Sequence, residues 1–103
     1  MGEPYQVMFQ KEGTVLIVRP VGRLDAYAVP SFSEQLEQEL DDITDVVMDF
    51  AQSDYLSSAG LRVLMITEQK MEERGGGMKV IHVSDMIREI LGLTGFLDFV
   101  TLE

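Results

Sequence analysis

The fold is decided by the stretch Tyr55-Leu56-Ser57-Ser58-Ala59-Gly60-Leu61, where one apolar segment ends and another begins. Residues 45–50, which precede it, are apolar apart from their ends, and this pattern predicts a central strand buried on both faces. Residues 60–66 begin a helix-like segment that we expect to run to about Arg74. The two serines therefore lie at a strand-to-helix junction, a favoured place in α/β proteins for anions and for switches.

Two roles are open for the serines at this junction. Serine is a preferred helix N-cap, because its side-chain oxygen accepts a hydrogen bond from a backbone N–H that has no partner within the helix. A phosphate added there would meet the positive end of the helix dipole and free N–H groups. The local sequence allows one serine to cap the helix while the other is modified.

A hairpin is predicted at the N-terminal end of the chain. Residues 6–10 and 14–18 are rich in β-branched and aromatic residues, and they flank the short segment Lys11-Glu12-Gly13. Such residues around a glycine-bearing turn are typical of two antiparallel strands. Gly22 then marks a bend where the chain leaves the second strand.

The first helix is predicted over residues 26–42. Its apolar residues recur every three or four positions, at Val29, Phe32, Leu36 and Leu40. With polar and acidic residues between them, this spacing predicts an amphipathic helix. Asp25 is expected to cap its start, and Pro30 is tolerated because it lies in the first turn.

The C-terminal part continues the alternation of helices and strands. Gly75-Gly76-Gly77 leaves a helix and enters a strand, so it predicts a helix stop, whereas a phosphate loop runs from a strand into a helix. Residues 78–83 predict that strand, with His82 inside it. Ser84-Asp85 are expected to cap a short helix over 86–91 that ends near Gly92, and residues 96–102 are predicted as the last strand.

The predicted order of elements is β-β-α-β-α-β-α-β. Alternation of strands and helices after an opening hairpin predicts an α/β fold with parallel strand pairs and right-handed crossover helices. We therefore expect one domain over residues 1–103, with a mixed sheet of about five strands and helices packed mainly on one face.

Composition excludes several classes of partner and compartment. The chain carries 8 basic and 18 acidic residues, a net charge of −10, and such a surface repels nucleic acid and anionic membranes. No window has the length of an apolar membrane span, and the N-terminus lacks the pattern of a signal peptide. We expect a cytoplasmic protein without nucleic-acid or membrane partners.

Catalytic equipment is sparse. With no cysteine and a single histidine, His82, the sequence offers neither a thiol nucleophile nor the ligands of a transition-metal site. A lone histidine within a strand is more often structural, and no order of serine, histidine and acid is recognisable. We predict no enzyme, no metal and no cofactor.

Three motifs resemble those of STAS domains, and in particular those of bacterial anti-sigma factor antagonists. Leu56–Leu61, after a strand ending in Asp49-Phe50, is similar to the central motif Asp-Ser-Ser/Thr-Gly-Leu. Gly22–Asp25 resembles the turn before the first helix, and Ile90–Phe96 resembles the last-helix signature. The motifs occur at the family's spacing, so the resemblance covers essentially the whole chain.

The resemblance implies a partner-switching regulator. In that family the unphosphorylated domain binds an anti-sigma factor, a histidine-kinase-like ATPase that phosphorylates serine, and so frees a sigma factor. Phosphorylation ends this binding, and a PP2C-type phosphatase restores it. The acceptor position corresponds to Ser58, with Ser57 as the alternative. The positions expected to contact the partner are Asp25, Ser57, Ala59, Gly60, Leu61 and Arg62, with Gly60 leaving room for close approach.

This chain departs from the family where Ser57 replaces the usual aspartate and Ala59 replaces the second hydroxyl. The alternative function is a non-switching STAS subunit of a transport or scaffold complex, and a third is a small nucleotide- or anion-binding domain. Leu64 and Met65 lie in the apolar start of the second helix, where they could equally pack in the core, contact a second copy or contact a partner. We therefore expect a monomer or a weak dimer.

Overall fold

A computed structural model describes residues 5–103, so Met1-Gly2-Glu3-Pro4 and the prediction made for the N-terminus lie outside the described residues. The strands are β1 (Gln6–Glu12), β2 (Val15–Val21), β3 (Asp45–Asp49), β4 (Gly77–Ile81) and β5 (Thr101–Leu102). The helices are α1 (Val29–Gln38), α2 (Ser58–Glu73) and α3 (Asp85–Leu93), and a 3-10 turn covers Phe96–Asp98. This order confirms the predicted alternation.

The sheet has five strands in the order β1-β2-β3-β4-β5. β1 and β2 form the predicted antiparallel hairpin, in which Glu12 pairs with Val15 and Gly13 takes a positive φ of 65°. All other pairs, from β2–β3 to β4–β5, are parallel. The mixed sheet of five strands is therefore confirmed, with the carboxyl ends of β2, β3 and β4 at one edge.

One face of the sheet carries the core. The side chains of the strands that point to this face are buried: Leu16, Val18, Val46, Met48, Met78 and Val80. They form one cluster with apolar residues of all three helices, among them Phe32, Leu64 and Ile87. Alternate strand residues such as Ile17 and Val47 are half-exposed on the opposite face. The prediction that the helices pack on one face is confirmed, because side chains alternate between the faces of a strand.

Both ends of α1 and the start of the last strand differ from their predictions. α1 ends at Gln38, four residues before the predicted end at residue 42. α1 begins at Val29, since Ala26 and Tyr27 form a turn that precedes it. The last strand is only Thr101–Leu102, because the chain makes a 3-10 turn after Gly95, which has a φ of 77°. This turn places Phe96 in the core with 2% exposure. The chain therefore does not take the extended conformation predicted for this residue, because the turn allows the ring to be buried.

His82 also differs from its prediction. β4 ends at Ile81, and His82 follows it with a left-handed φ of 59°. Its Nδ1 lies 2.8 Å from Oδ1 of Asp49, so the imidazole joins the end of β4 to the end of β3.

Within residues 5–103, no helix combines the length and the hydropathy that crossing a membrane requires.

Candidate partner-binding site

The junction between β3 and α2 is held against the turn between β2 and α1. Leu24 and Leu56 form an isolated parallel bridge, in which the nitrogen of Leu24 donates to the oxygen of Tyr55 at 3.2 Å. The nitrogen of Ser57 donates to the oxygen of Leu24 at 3.0 Å. Asp25 follows Leu24, and Ser57 follows Leu56. The parallel bridge between the two leucines therefore also places Asp25 beside Ser57. The two connections form one surface, which we call the junction surface.

Ser57 and Ser58 occupy different positions at the start of α2. Ser57 is the N-cap, with φ −78° and ψ 166°, and its Oγ accepts a hydrogen bond from the nitrogen of Gly60 at 3.1 Å. Ser58 is the first helical residue and is exposed, and its hydroxyl makes no hydrogen bond with any of residues 5–103. The hypothesis that Ser57 caps the helix is confirmed, and Ser58 has the accessible hydroxyl.

Asp25 stabilises the turn beside the serines. Its Oδ1 accepts hydrogen bonds from the nitrogens of Tyr27 and Ala28, both at 3.0 Å. This is the local bonding that makes aspartate favourable before a helix. Since Ala28 is the helix N-cap and makes no side-chain bond, Asp25 caps the turn that leads into α1 instead of the helix itself.

The expected role of Gly60 is wrong. Gly60 is buried, and a Cβ built on it would lie 2.8 Å from Cδ1 of Leu56 and 3.4 Å from the oxygen of Leu24. The glycine therefore allows α2 to pack against the bridge within the chain, and it leaves no room at the surface for a partner. Leu61 is likewise a core residue, with 5% exposure.

The remaining residues predicted to contact a partner reach solvent. Ala59 and Arg62 are exposed, and Asp25 and Ser57 are half-exposed. They lie on the β2–α1 turn and on the first turns of α2, together with Ser58. The junction surface thus combines an acidic group, hydroxyls and a guanidinium around the start of one helix.

Two aromatic contributions to this surface were missed in the sequence. Tyr27 is 95% exposed in the turn that Asp25 stabilises. The guanidinium of Arg23 stacks 4.0 Å above the ring centroid of Tyr55, a cation–π contact between the two connections. The available signal was a large aromatic residue between two alanines directly after a capping aspartate. Tyrosine is enriched at protein interfaces because it offers a large, rigid contact area.

A charged network supports the strands below this surface. Asp49, 6% exposed, accepts hydrogen bonds from Nε of Arg19 at 3.1 Å and from the nitrogen of Ala51 at 3.0 Å, and it contacts His82. Burial raises the pKa of Asp49, but the hydrogen bonds from His82, Ala51 and Arg19 outweigh it, so this pKa lies below its ordinary value. The network ties β2, β3 and β4 together at their carboxyl ends.

Metal ligands are not clustered in the described part of the chain. Among residues 5–103, no three histidine, aspartate or glutamate side chains lie close enough to share an ion.

Comparison with known proteins relates the sequence to named regulators. A region of 70 residues is 36% identical to the putative anti-sigma factor antagonist BtrV of Bordetella bronchiseptica. This region covers 63% of the chain and 60% of that relative. The anti-sigma-B factor antagonist of Bacillus subtilis is 25% identical over 86 residues, which cover 84% of the chain and 79% of the relative.

Solved structures share the fold. An anti-sigma factor antagonist from Mycobacterium paratuberculosis superposes with a TM-score of 0.84 at 22% identity, covering 96% of this chain and 85% of that one. The Bacillus cell fate determinant SpoIIAA in its phosphorylated form gives a TM-score of 0.74 at 16% identity, covering 97% of this chain and 91% of that one. The STAS domain family matches residues 6–103, which is nearly the entire sequence. The chain therefore belongs to the STAS domain family, as its three motifs predicted.

Proposed function

We propose that this protein is an anti-sigma factor antagonist switched by phosphorylation of Ser58. Its unphosphorylated form binds an anti-sigma factor that is also a serine kinase, and this binding frees the sigma factor. The observation that carries the proposal is the contrast between the two serines: Ser57 is occupied as a cap, whereas Ser58 presents an exposed hydroxyl without a partner among residues 5–103. The protein acts by binding, in the cytoplasm, and is not itself an enzyme.

The comparisons support this proposal at a general level. Both curated relatives are named as anti-sigma factor antagonists, and one of them is a putative member of that class. A protein of the same fold exists in a phosphorylated form. The arrangement of Ser58 at the start of a helix agrees with such a modification, since the fold would accept the phosphate without rearrangement.

The position of Ser58 explains how a phosphate would act without unfolding the domain. Ser58 is the first residue of α2, where free N–H groups and the helix dipole favour negative charge. Phosphorylation adds about 1.5 to 2 negative charges at neutral pH. Arg62 is one helical turn further along the same face, within reach of a phosphate on Ser58. The modified domain therefore keeps its fold and its stability.

The same phosphate would oppose binding. A partner that covers Ser58 must remove water from the phosphate, and each buried polar group without a matching hydrogen bond costs about 1–3 kcal/mol. Asp25 lies beside the serines and adds negative charge to the same surface. A loss of about 3 kcal/mol corresponds to a more than hundredfold weaker complex. Phosphorylation thus ends binding at the interface itself, and a PP2C-type phosphatase restores it.

Tyr27 and the Arg23–Tyr55 stack complete the proposed contact surface. Tyr27 lies in the turn that Asp25 stabilises and is almost fully exposed, so it is available as an aromatic anchor in a partner's pocket. Arg23 is held by its stacking on Tyr55, which reduces the entropy lost when it is buried in a complex. Asp25, Ser57, Ala59 and Arg62 surround these groups.

Phosphate mapping tests the proposal. The protein is incubated with ATP and a serine kinase of the histidine-kinase-like ATPase type, and the modified residue is located by mass spectrometry. We expect phosphate on Ser58 in the wild type and in Ser57→Ala, and none in Ser58→Ala. An unmodified protein, with a kinase that is demonstrably active on another substrate, would instead favour the non-switching STAS subunit.

A further inference from the structure

The exposed face of α2 carries a stripe of side chains, of which only Arg62 also belongs to the junction surface. Arg62, Met65, Gln69 and Glu72 follow one another at intervals of three, four and three residues, which places them along one side of the helix. All are exposed, and Met65 is 44% exposed. Ile66, 47% exposed, lies beside the stripe, and Phe99, 63% exposed, faces it across a groove. We call Arg62, Met65, Gln69 and Glu72 the α2 stripe.

The α2 stripe has charged residues of opposite sign at its two ends, with Met65 and Gln69 between them. The interval from Arg62 to Glu72 covers ten residues, or about 15 Å of helix. If two copies of α2 pack antiparallel about a two-fold axis, Arg62 of each copy lies opposite Glu72 of the other. Met65 then lies opposite Gln69, so the stripe is complementary to itself.

Glu72 is an exposed carboxylate that forms no ion pair with a basic residue among residues 5–103. Glu68, one turn before it, is only 7% exposed and is likewise without an ion pair in that part of the chain. Burial, and next the charge of Glu72, raise the pKa of Glu68. A guanidinium arriving from a second copy would give Glu72 an oppositely charged partner at the edge of the groove.

We propose that the α2 stripe is a homodimer interface in which two copies of α2 pack antiparallel and exchange Arg62–Glu72 ion pairs. Met65 and Gln69 fill the centre, and Ile66 and Phe99 cover the sides. An isologous contact of this kind is the commonest symmetry of soluble oligomers. The dimer goes beyond the proposed function and requires neither a kinase nor a phosphate. It also covers Arg62, so a dimer and a partner bound at the junction surface exclude one another.

A charge exchange tests the dimer by sedimentation equilibrium over a range of protein concentrations. We expect Arg62→Glu and Glu72→Arg, each made alone, to raise the dimer Kd by about tenfold or more, because each places like charges opposite one another. The double variant R62E/E72R restores opposite charges and should return the Kd to within about threefold of the wild type.

The matched controls lie on α3, where Arg88 and Glu89 are exposed. Arg88→Glu and Glu89→Arg change the net charge by the same amounts as the test variants, and we expect them to leave the Kd unchanged. A wild type that stays monomeric up to about 1 mM would overturn the proposal. Equal weakening by test and control variants, or a double variant no better than the singles, would also overturn it.

A cross-linking measurement is independent of the charges. The chain has no cysteine, so cysteines can be placed one at a time. When M65C and Q69C copies are mixed and oxidised, the proposed packing predicts a disulfide between the two copies. The control mixture pairs Q69C with M86C, whose position on α3 is 51% exposed in the wild type. Equal cross-linking of both mixtures would contradict the antiparallel arrangement.

Discussion

The hydroxyl of Ser57 accepts a hydrogen bond from the backbone nitrogen of Gly60 at 3.1 Å, and this bond separates the tasks of two adjacent serines. Ser57 satisfies a backbone donor at the start of α2, while Ser58 faces solvent. The cap places Ser58 at the first helical position, where its side chain is accessible. The structure thus assigns the helix cap to Ser57, and the proposed function assigns the phosphate to Ser58.

The first prediction follows from this division. Ser57→Ala removes the cap and should lower the free energy of unfolding by about 1 kcal/mol, because one donor of the first helical turn loses its protein partner. Ser58→Ala removes a hydroxyl that bonds to none of residues 5–103 and should change stability by less than about 0.5 kcal/mol. Urea unfolding of both variants measures the difference. Equal losses would show that the two serines share the capping role.

A second prediction concerns two adjacent glycines of the connector after α2. A Cβ on Gly76 would lie 1.8 Å from the backbone oxygen of Thr44, whereas a Cβ on Gly77 meets nothing within 4 Å. Gly76→Ala should therefore cost about 3 kcal/mol or more, since backbone must move, and Gly77→Ala should be nearly neutral. Thermal unfolding compares them, and similar midpoints for the two variants would contradict the close approach.

The third prediction concerns pH. The pKa of Asp49 is lowered in the folded state, so the folded protein holds this proton less tightly than the unfolded chain does. The resulting stability is fully present above the ordinary pKa of an aspartate, about 3.8, and is lost as the pH falls through the lower folded pKa. Unfolding free energies measured from neutral to acid pH should fall less steeply for Asp49→Asn than for the wild type. Parallel curves would show that Asp49 is not a source of the acid sensitivity.

The fourth prediction tests the junction surface. Tyr27→Ala should weaken binding of the unphosphorylated protein to its anti-sigma factor by about 2 kcal/mol, because a nearly free aromatic side chain is lost from the proposed contact. Ser58→Asp should also weaken it through added charge. Calorimetry measures both, with Leu93→Ala, whose side chain on α3 is 80% exposed, as an apolar control outside both proposed surfaces. Unchanged affinity of Tyr27→Ala and Ser58→Asp would place the interface elsewhere.

Local signals accounted for most of the element order. The predictions rested on features of short segments: the periodicity of residues 26–42 and 45–50, the glycines after α2 and the serine caps. Such features act on residues close in sequence, so they can be recognised without the tertiary structure. Ser84 caps α3 as predicted, its Oγ accepting from the nitrogen of Ile87 at 3.2 Å. The start of α1 was misplaced because Asp25 stabilises a turn before the helix. Residues 96–102 were misassigned because burial of Phe96 in the core overrode local preference.

The sequence by itself determined the α/β class, the hairpin, the order of the sheet's strands along the chain and the position of two serines at a helix start. Only the tertiary structure decided that Leu24 pairs with Leu56, and that Asp25 consequently lies beside Ser57. It also decided that Gly60 faces inward and that His82 reaches Asp49. The reason is physical: periodicity and capping depend on residues within one or two turns, whereas these contacts join segments about thirty residues apart, whose approach is set by packing of the whole core.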